Sequence, residues 1–126
     1  MSLRTPIKHA MGLGSAKDGV HHWLIQRLTA VALIPLFVWF IVSVLMLMGA
    51  DYATVVNWIS SPLVTVLLVL FLAVLFYHSE LGVRVVLEDY VSGHGNLIAA
   101  LVLSRFFHIF LAAAGMIAVL RIAFGA

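Results

Sequence analysis

The chain contains no cysteine. That excludes disulfides and also thiolate-ligated zinc or iron-sulfur centres, so any metal chemistry has to run through histidine or carboxylate. Charge is nearly as scarce, with five acidic and seven basic residues among 126. A soluble domain carries charge on about a quarter of its residues, whereas here 64% of the chain is hydrophobic and the mean hydropathy is +1.18. The solvent for most of this chain is therefore lipid. No His-x-x-x-His pair marks a zinc site, and no basic run interleaved with aromatics supports nucleic-acid binding. The first 24 residues hold no apolar core of a secretory signal, so the N-terminus is expected to be retained. No internal repeat is present.

Long apolar runs are what the chain has instead. Leu28 to Ala50, Tyr52 to Ser79, and Asn96 to Phe124 are interrupted within the last only by Arg105 and Arg121. Each covers the roughly 20 residues that a bilayer core requires. These runs predict an all-α integral membrane fold, one domain over residues 1–126. It has an N-terminal segment at 1–24 and spans near 28–49, 56–79 and 97–123, the second helix continuing to about 90. Pro6, Gly12, Gly14 and Gly19 limit the N-terminal segment to at most a short helix. Four of the seven cations, Arg4, Lys8, Lys17 and Arg27, precede the first span. Such a bias places the N-terminus in the cytoplasm (or a mitochondrial matrix) and the C-terminus outside. Arg84 and Arg105 agree with that orientation; Arg121 does not.

Within the spans, Pro35 removes one backbone donor, Ser61 is suited to cap a helix, and Pro62 fits a first helical turn. Glu80 and Arg84, four residues apart, are expected to pair. Ser92 to Asn96, with two glycines, is expected to turn the chain back toward the third span. Trp23 and Trp58 suit the interface, whereas Trp39 falls mid-span and is expected to pack on a neighbouring helix.

The residues that can carry chemistry fall in three clusters. His78 ends the second apolar run, and Gly82, one turn on, leaves a slot beside it. A neutral imidazole there can ligate haem iron or simply bond to another helix. His108 in the third span has the same two options, with a backbone or interhelical bond preferred. Asp89 follows His78 by eleven residues, which places both on one helix face roughly 16 Å apart. Beside it, Tyr90 can donate a hydrogen bond to a quinone carbonyl or act as an interfacial anchor. Gly19-Val20-His21-His22-Trp23, with Arg27 and Thr29, forms the third cluster. Arg27 can snorkel, or pair with Asp89, a quinone or a haem propionate.

Taken in order, Gly19-Val20-His21 leading to Arg27-x-Thr29-Ala30, then His78-x-x-x-Gly82, then Asp89-Tyr90-Val91, resemble the smaller hydrophobic membrane anchor subunit of succinate dehydrogenase, respiratory complex II. The likeness covers nearly the whole chain. It implies a subunit that is not catalytic on its own, in a bacterial inner membrane or the mitochondrial equivalent. Its partners would be a second three-helix cytochrome b anchor subunit, an iron-sulfur subunit and a flavoprotein. By this resemblance His78 is an axial ligand of a haem b shared with the second anchor, and the complex passes electrons from succinate to ubiquinone. Tyr90 matches the tyrosine that bonds ubiquinone, Asp89 the acid beside it, and Arg27 the arginine near the quinone and haem propionates. His21 fits the Gly-Val-His form of the first motif and His22 the His-Trp form. The chain departs from the pattern at Glu88, where threonine is frequent, and in an extended Ser92 to Asn96 turn. The rival readings are the anchor of a fumarate reductase or other quinone-linked cytochrome b, and a cofactor-free membrane assembly protein.

Overall fold

The computed structural model describes residues 16–125, and its helices are α1 (Ala16–Met46), α2 (Tyr52–Ser60), α3 (Pro62–Tyr90) and α4 (His94–Phe124). No strand occurs among the described residues. Of these helices α1, α3 and α4 are long and apolar enough to cross a membrane. At 1.5 Å per residue, helices of 29 to 31 residues reach about 45 Å. Each therefore outlasts a hydrocarbon core of about 30 Å and can project from it.

Three boundaries differ from the sequence reading. First, α1 begins at Ala16, well before position 28, because the apolar run marks where lipid starts rather than where the helix starts. Residues 1–15 of the expected N-terminal segment lie outside the described residues. Second, the expected 56–79 span is divided, with α2 ending and α3 beginning at Ser61. Pro62 lacks an N–H and disfavours helical backbone in the residue before it, and Ser61 accordingly sits at φ −63°, ψ 127°. The Ser61 side chain makes no capping bond. Thr65 closes the corner instead, its hydroxyl lying 2.7 Å from the Ile59 carbonyl and 3.0 Å from that of Ser61. Third, the connection between α3 and α4 is shorter than Ser92 to Asn96, since His94 is already helical. Gly93 makes the tight reversal at φ +91°, a conformation that side chains with a Cβ rarely adopt.

The middle position belongs to α3, which packs on α1 along one side and α4 along another, while α1 and α4 make no close backbone approach to each other. On the α1 side, Phe71 stacks on Phe40 at 4.9 Å between ring centroids and meets Phe37 at 6.1 Å. On the α4 side, Gly115 lets the backbones approach. A Cβ there would come within 3.2 Å of the Leu72 side chain. Trp39 stacks on Trp58 at 5.9 Å, which fastens α1 to α2, and the Ser60 hydroxyl reaches the Ile122 carbonyl of α4 at 3.3 Å. Among the described residues the buried ones are Thr65, Leu68, Phe71 and Leu81, all on α3. Broad apolar faces of α1 and α4 remain exposed, ready to meet lipid or other protein.

Candidate functional site

Antiparallel packing of α1 on α3 brings Thr29 level with His78, and Thr29 Oγ1 lies 2.9 Å from His78 Nδ1. The same hydroxyl is 2.8 Å from the Ile25 carbonyl and 3.0 Å from that of Gln26, within its own helix. No partner for His78 Nε2 is found among the described residues. The imidazole lines an open, largely apolar groove of about 360 Å³ with Ala30, Leu33, Ile34, Phe37 and Val38. One turn along α3, a Cβ at Gly82 would meet nothing within 4 Å. Gly82 thus leaves open space on that side of α3 among the described residues.

Unbroken helix from Pro62 to Tyr90 places His78 and Asp89 on one rigid element, as their spacing requires. Asp89 and Tyr90 are both exposed at its end, Tyr90 by 84%. Arg27 is not brought to them. It sits two residues from Thr29, hence near the level of His78, so that about nine residues of helix rise, roughly 13 Å, separate it from Asp89. Its guanidinium lies 5.3 Å from the Trp23 ring centroid, a cation–π contact. Pairing of Arg27 with Asp89, one of the options open from sequence, is therefore not made within this chain.

His21 and His22 share a more polar cavity of about 540 Å³ with Tyr77, Arg84 and Glu88. His21 is exposed, whereas His22 is partly covered and its Nε2 is buried without a partner. The ion pair predicted between Glu80 and Arg84 is replaced by Arg84 with Glu88 at 2.9 Å. Both pairs have helical spacing, so the neighbours decide. Glu80 turns into the cleft between α3 and α4 beside Tyr77, Arg105 and His108, while Arg84 and Glu88 face the cavity next to α1.

His108 has both nitrogens occupied. Nδ1 donates to the Ser104 carbonyl at 2.7 Å, and Nε2 lies 3.2 Å from the Ser79 hydroxyl, which donates to it. The Ser79 bond ties α4 to α3, and the two bonds together leave no free lone pair for a metal. Among the described residues no group of three or more histidine, aspartate or glutamate side chains could hold a metal ion. Thr29 stands in the Arg27-x-Thr29-Ala30 motif, which by itself assigns it no task. Its signal emerges only once the register of α1 against α3 is known.

These features define a small multi-pass α-helical membrane protein with His78 Nε2 left open and broad faces left for lipid or other chains. The chain belongs to the succinate dehydrogenase/fumarate reductase transmembrane subunit family, whose sequence profile matches residues 1–120. It is 39% identical over 92 residues to the succinate dehydrogenase hydrophobic membrane anchor subunit of Rickettsia conorii, covering 72% of this chain and 73% of that one. The subunit of the same description from Rickettsia bellii is 36% identical over 89 residues, 71% of each chain. That of Paracoccus denitrificans is 34% identical over 123 residues, 97% of this chain and 94% of its own length. No solved structure gives a significant match.

Proposed function

We propose that this chain anchors a succinate:ubiquinone oxidoreductase in the bacterial inner membrane, holds one side of a haem b and forms part of the ubiquinone pocket. The family description admits fumarate reductases as well. The relatives carry the succinate dehydrogenase name, which favours electron flow from succinate to quinone. Partners of that complex would be a flavoprotein, an iron-sulfur subunit and a second hydrophobic, cytochrome b anchor subunit. The unpaired helix faces of α1 and α4 offer surface for the second anchor.

The observation that carries the haem reading is His78, with Nδ1 engaged, Nε2 open, an apolar groove beside it and Gly82 one turn away. A haem bound there supplies reversible one-electron storage between the electron donor and the quinone. His78 would provide one nitrogen to hold the haem, and the second anchor subunit a further one, since both nitrogens of His108 are committed. Arg27, near the level of His78, has the charge to hold a propionate, with His21 and His22 as further contacts from α1.

At the exposed end of α3, the Tyr90 hydroxyl donates a hydrogen bond to a quinone carbonyl. Asp89 beside it holds a carboxylate at the aqueous edge, where it can pass protons inward. Ubiquinone takes up two electrons and two protons to become ubiquinol. The electrons arrive through the partner subunits, and no bond of succinate is broken on this chain. Tyr90→Phe should lower quinone reduction about tenfold, the worth of one hydrogen bond of about 1.4 kcal/mol, while dye-linked succinate oxidation continues. An equal loss of both activities would reject the quinone role. His78→Ala should abolish the reduced haem b absorption band, and a band of parental intensity would reject the ligand.

A further inference from the structure

Thr29 has one hydroxyl proton and a lone-pair-bearing oxygen surrounded by three acceptor-capable atoms. Two of them, the carbonyls of Ile25 at 2.8 Å and Gln26 at 3.0 Å, can only accept. The third, His78 Nδ1 at 2.9 Å, can donate or accept. Were the hydroxyl proton directed at Nδ1, the Thr29 oxygen and the Ile25 carbonyl would face each other at 2.8 Å with no hydrogen between them, two bare dipoles repelling in a medium of low dielectric. Directing the proton to the carbonyl removes that conflict. The Thr29 oxygen then accepts, and the imidazole must carry its hydrogen on Nδ1.

We propose that Thr29 is the positioning residue for His78: its hydroxyl oxygen accepts the Nδ1–H, fixes the Nδ1-protonated tautomer and thereby leaves Nε2 as the open lone pair. The inference rests on the reading of His78 as a haem ligand and extends it to the residue that prepares the ligand. Metal-bound histidines generally donate their second N–H to an oxygen, which orients the ring and raises its basicity. Here that oxygen comes from α1 whereas the ligand stands on α3. Helix α1 is thus coupled to the ligand strength of a histidine it does not carry. A more basic imidazole favours the oxidised iron, so loss of the bond should move the haem potential upward.

The test uses the whole complex purified with Thr29→Val, Thr29→Ser or His78→Ala, flavin content serving as the measure of complex. Three quantities are read: haem retained per flavin, the low-spin ferric haem signal in electron paramagnetic resonance, and the potential from redox titration. Thr29→Val keeps the side-chain volume and removes the acceptor, and should weaken haem affinity about 10–100-fold, shift the resonance and raise the potential. Thr29→Ser should return all three to parental values. A contact that merely packs α1 on α3 would change the yield of complex but leave the resonance and potential of the assembled fraction alone. Parental values in Thr29→Val, or failure of Thr29→Ser to restore them, overturns the proposal. If Thr29→Val does not accumulate, Thr29→Ala removes the same acceptor and is read the same way. His78→Ala separates the two levels of the reading: haem retained there overturns the ligand itself, whereas haem lost there with Thr29→Val unchanged overturns only the role of Thr29.

Discussion

Polar side chains in this molecule are placed where a backbone carbonyl or a facing side chain can satisfy them. Thr65 is buried and closes the carbonyls of Ile59 and Ser61. His108 takes up Ser79 and the Ser104 carbonyl, whereas His22 Nε2 is buried without a partner among the described residues. Thr65→Val should cost about 1 kcal/mol, since the Ile59 and Ser61 carbonyls lose their hydroxyl donor at a buried position. A detergent titration of helix content reads that loss, with Thr65→Ser retaining most of the parental stability; equal midpoints for parent and Thr65→Val would exclude the bond as a stabiliser. The level of His78 and its alignment with Asp89 were legible in the sequence, because both depend only on helical spacing. The Arg84 partner was not. Glu80 and Glu88 are equally spaced from Arg84, and the choice between them is made by α1 and α4, which flank α3 on different sides.

At the scale of elements, apolar run length predicted how many helices cross but not where they end. Ser61-Pro62 predicts a helix start, and the same dipeptide also ends a preceding helix, because extended backbone at Ser61 serves both. Asp51 starts that short helix by accepting from the Thr54 N–H at 3.0 Å. The Thr54 hydroxyl and backbone N–H together hold its carboxyl below the ordinary value of 3.8. A group lowered on folding contributes its stability fully above the unfolded value and loses it as pH falls through the lowered one. The α2 cap should therefore hold at neutral pH and weaken only below about pH 3.8, and Asp51→Asn, which can still cap, should abolish that acid-induced change in helix content. The same loss in Asp51→Asn as in the parent would assign it to another group. Between α3 and α4 the close approach at Gly115 faces the flexible end of Leu72. Gly115→Ala should be tolerated, whereas Gly115→Leu should wedge the pair apart at about 1–3 kcal/mol. Leu72→Ala added to Gly115→Leu should recover part of the loss, and strict additivity of the two changes would show that they do not meet.

For the whole molecule, the central place of α3 makes orientation a testable property of the array. Ala50 lies in the connection between α1 and α2 and Ser92 in that between α3 and α4, and α2, at 9 residues, is too short to cross, so α3 alone crosses between the two positions. One crossing between them puts the two positions on opposite faces of the membrane. Charge decides which face is which: Arg4, Lys8, Lys17 and Arg27 precede or enter α1, and Arg84 and Arg105 lie toward the Ser92 end of α3 and α4. Positive charge is retained on the cytoplasmic side, so the Ser92 connection, the Tyr90 hydroxyl and the proposed quinone edge should face the cytoplasm. Absence of cysteine from the chain makes an introduced thiol the only one on the purified chain. In intact cells whose outer membrane admits a membrane-impermeant maleimide, Ala50→Cys should label and Ser92→Cys should label only after the inner membrane is opened. The reverse pattern would invert the protein and move Tyr90 to the outer face, away from a cytoplasmic electron donor. Labelling of both positions from one side would deny that α3 crosses at all.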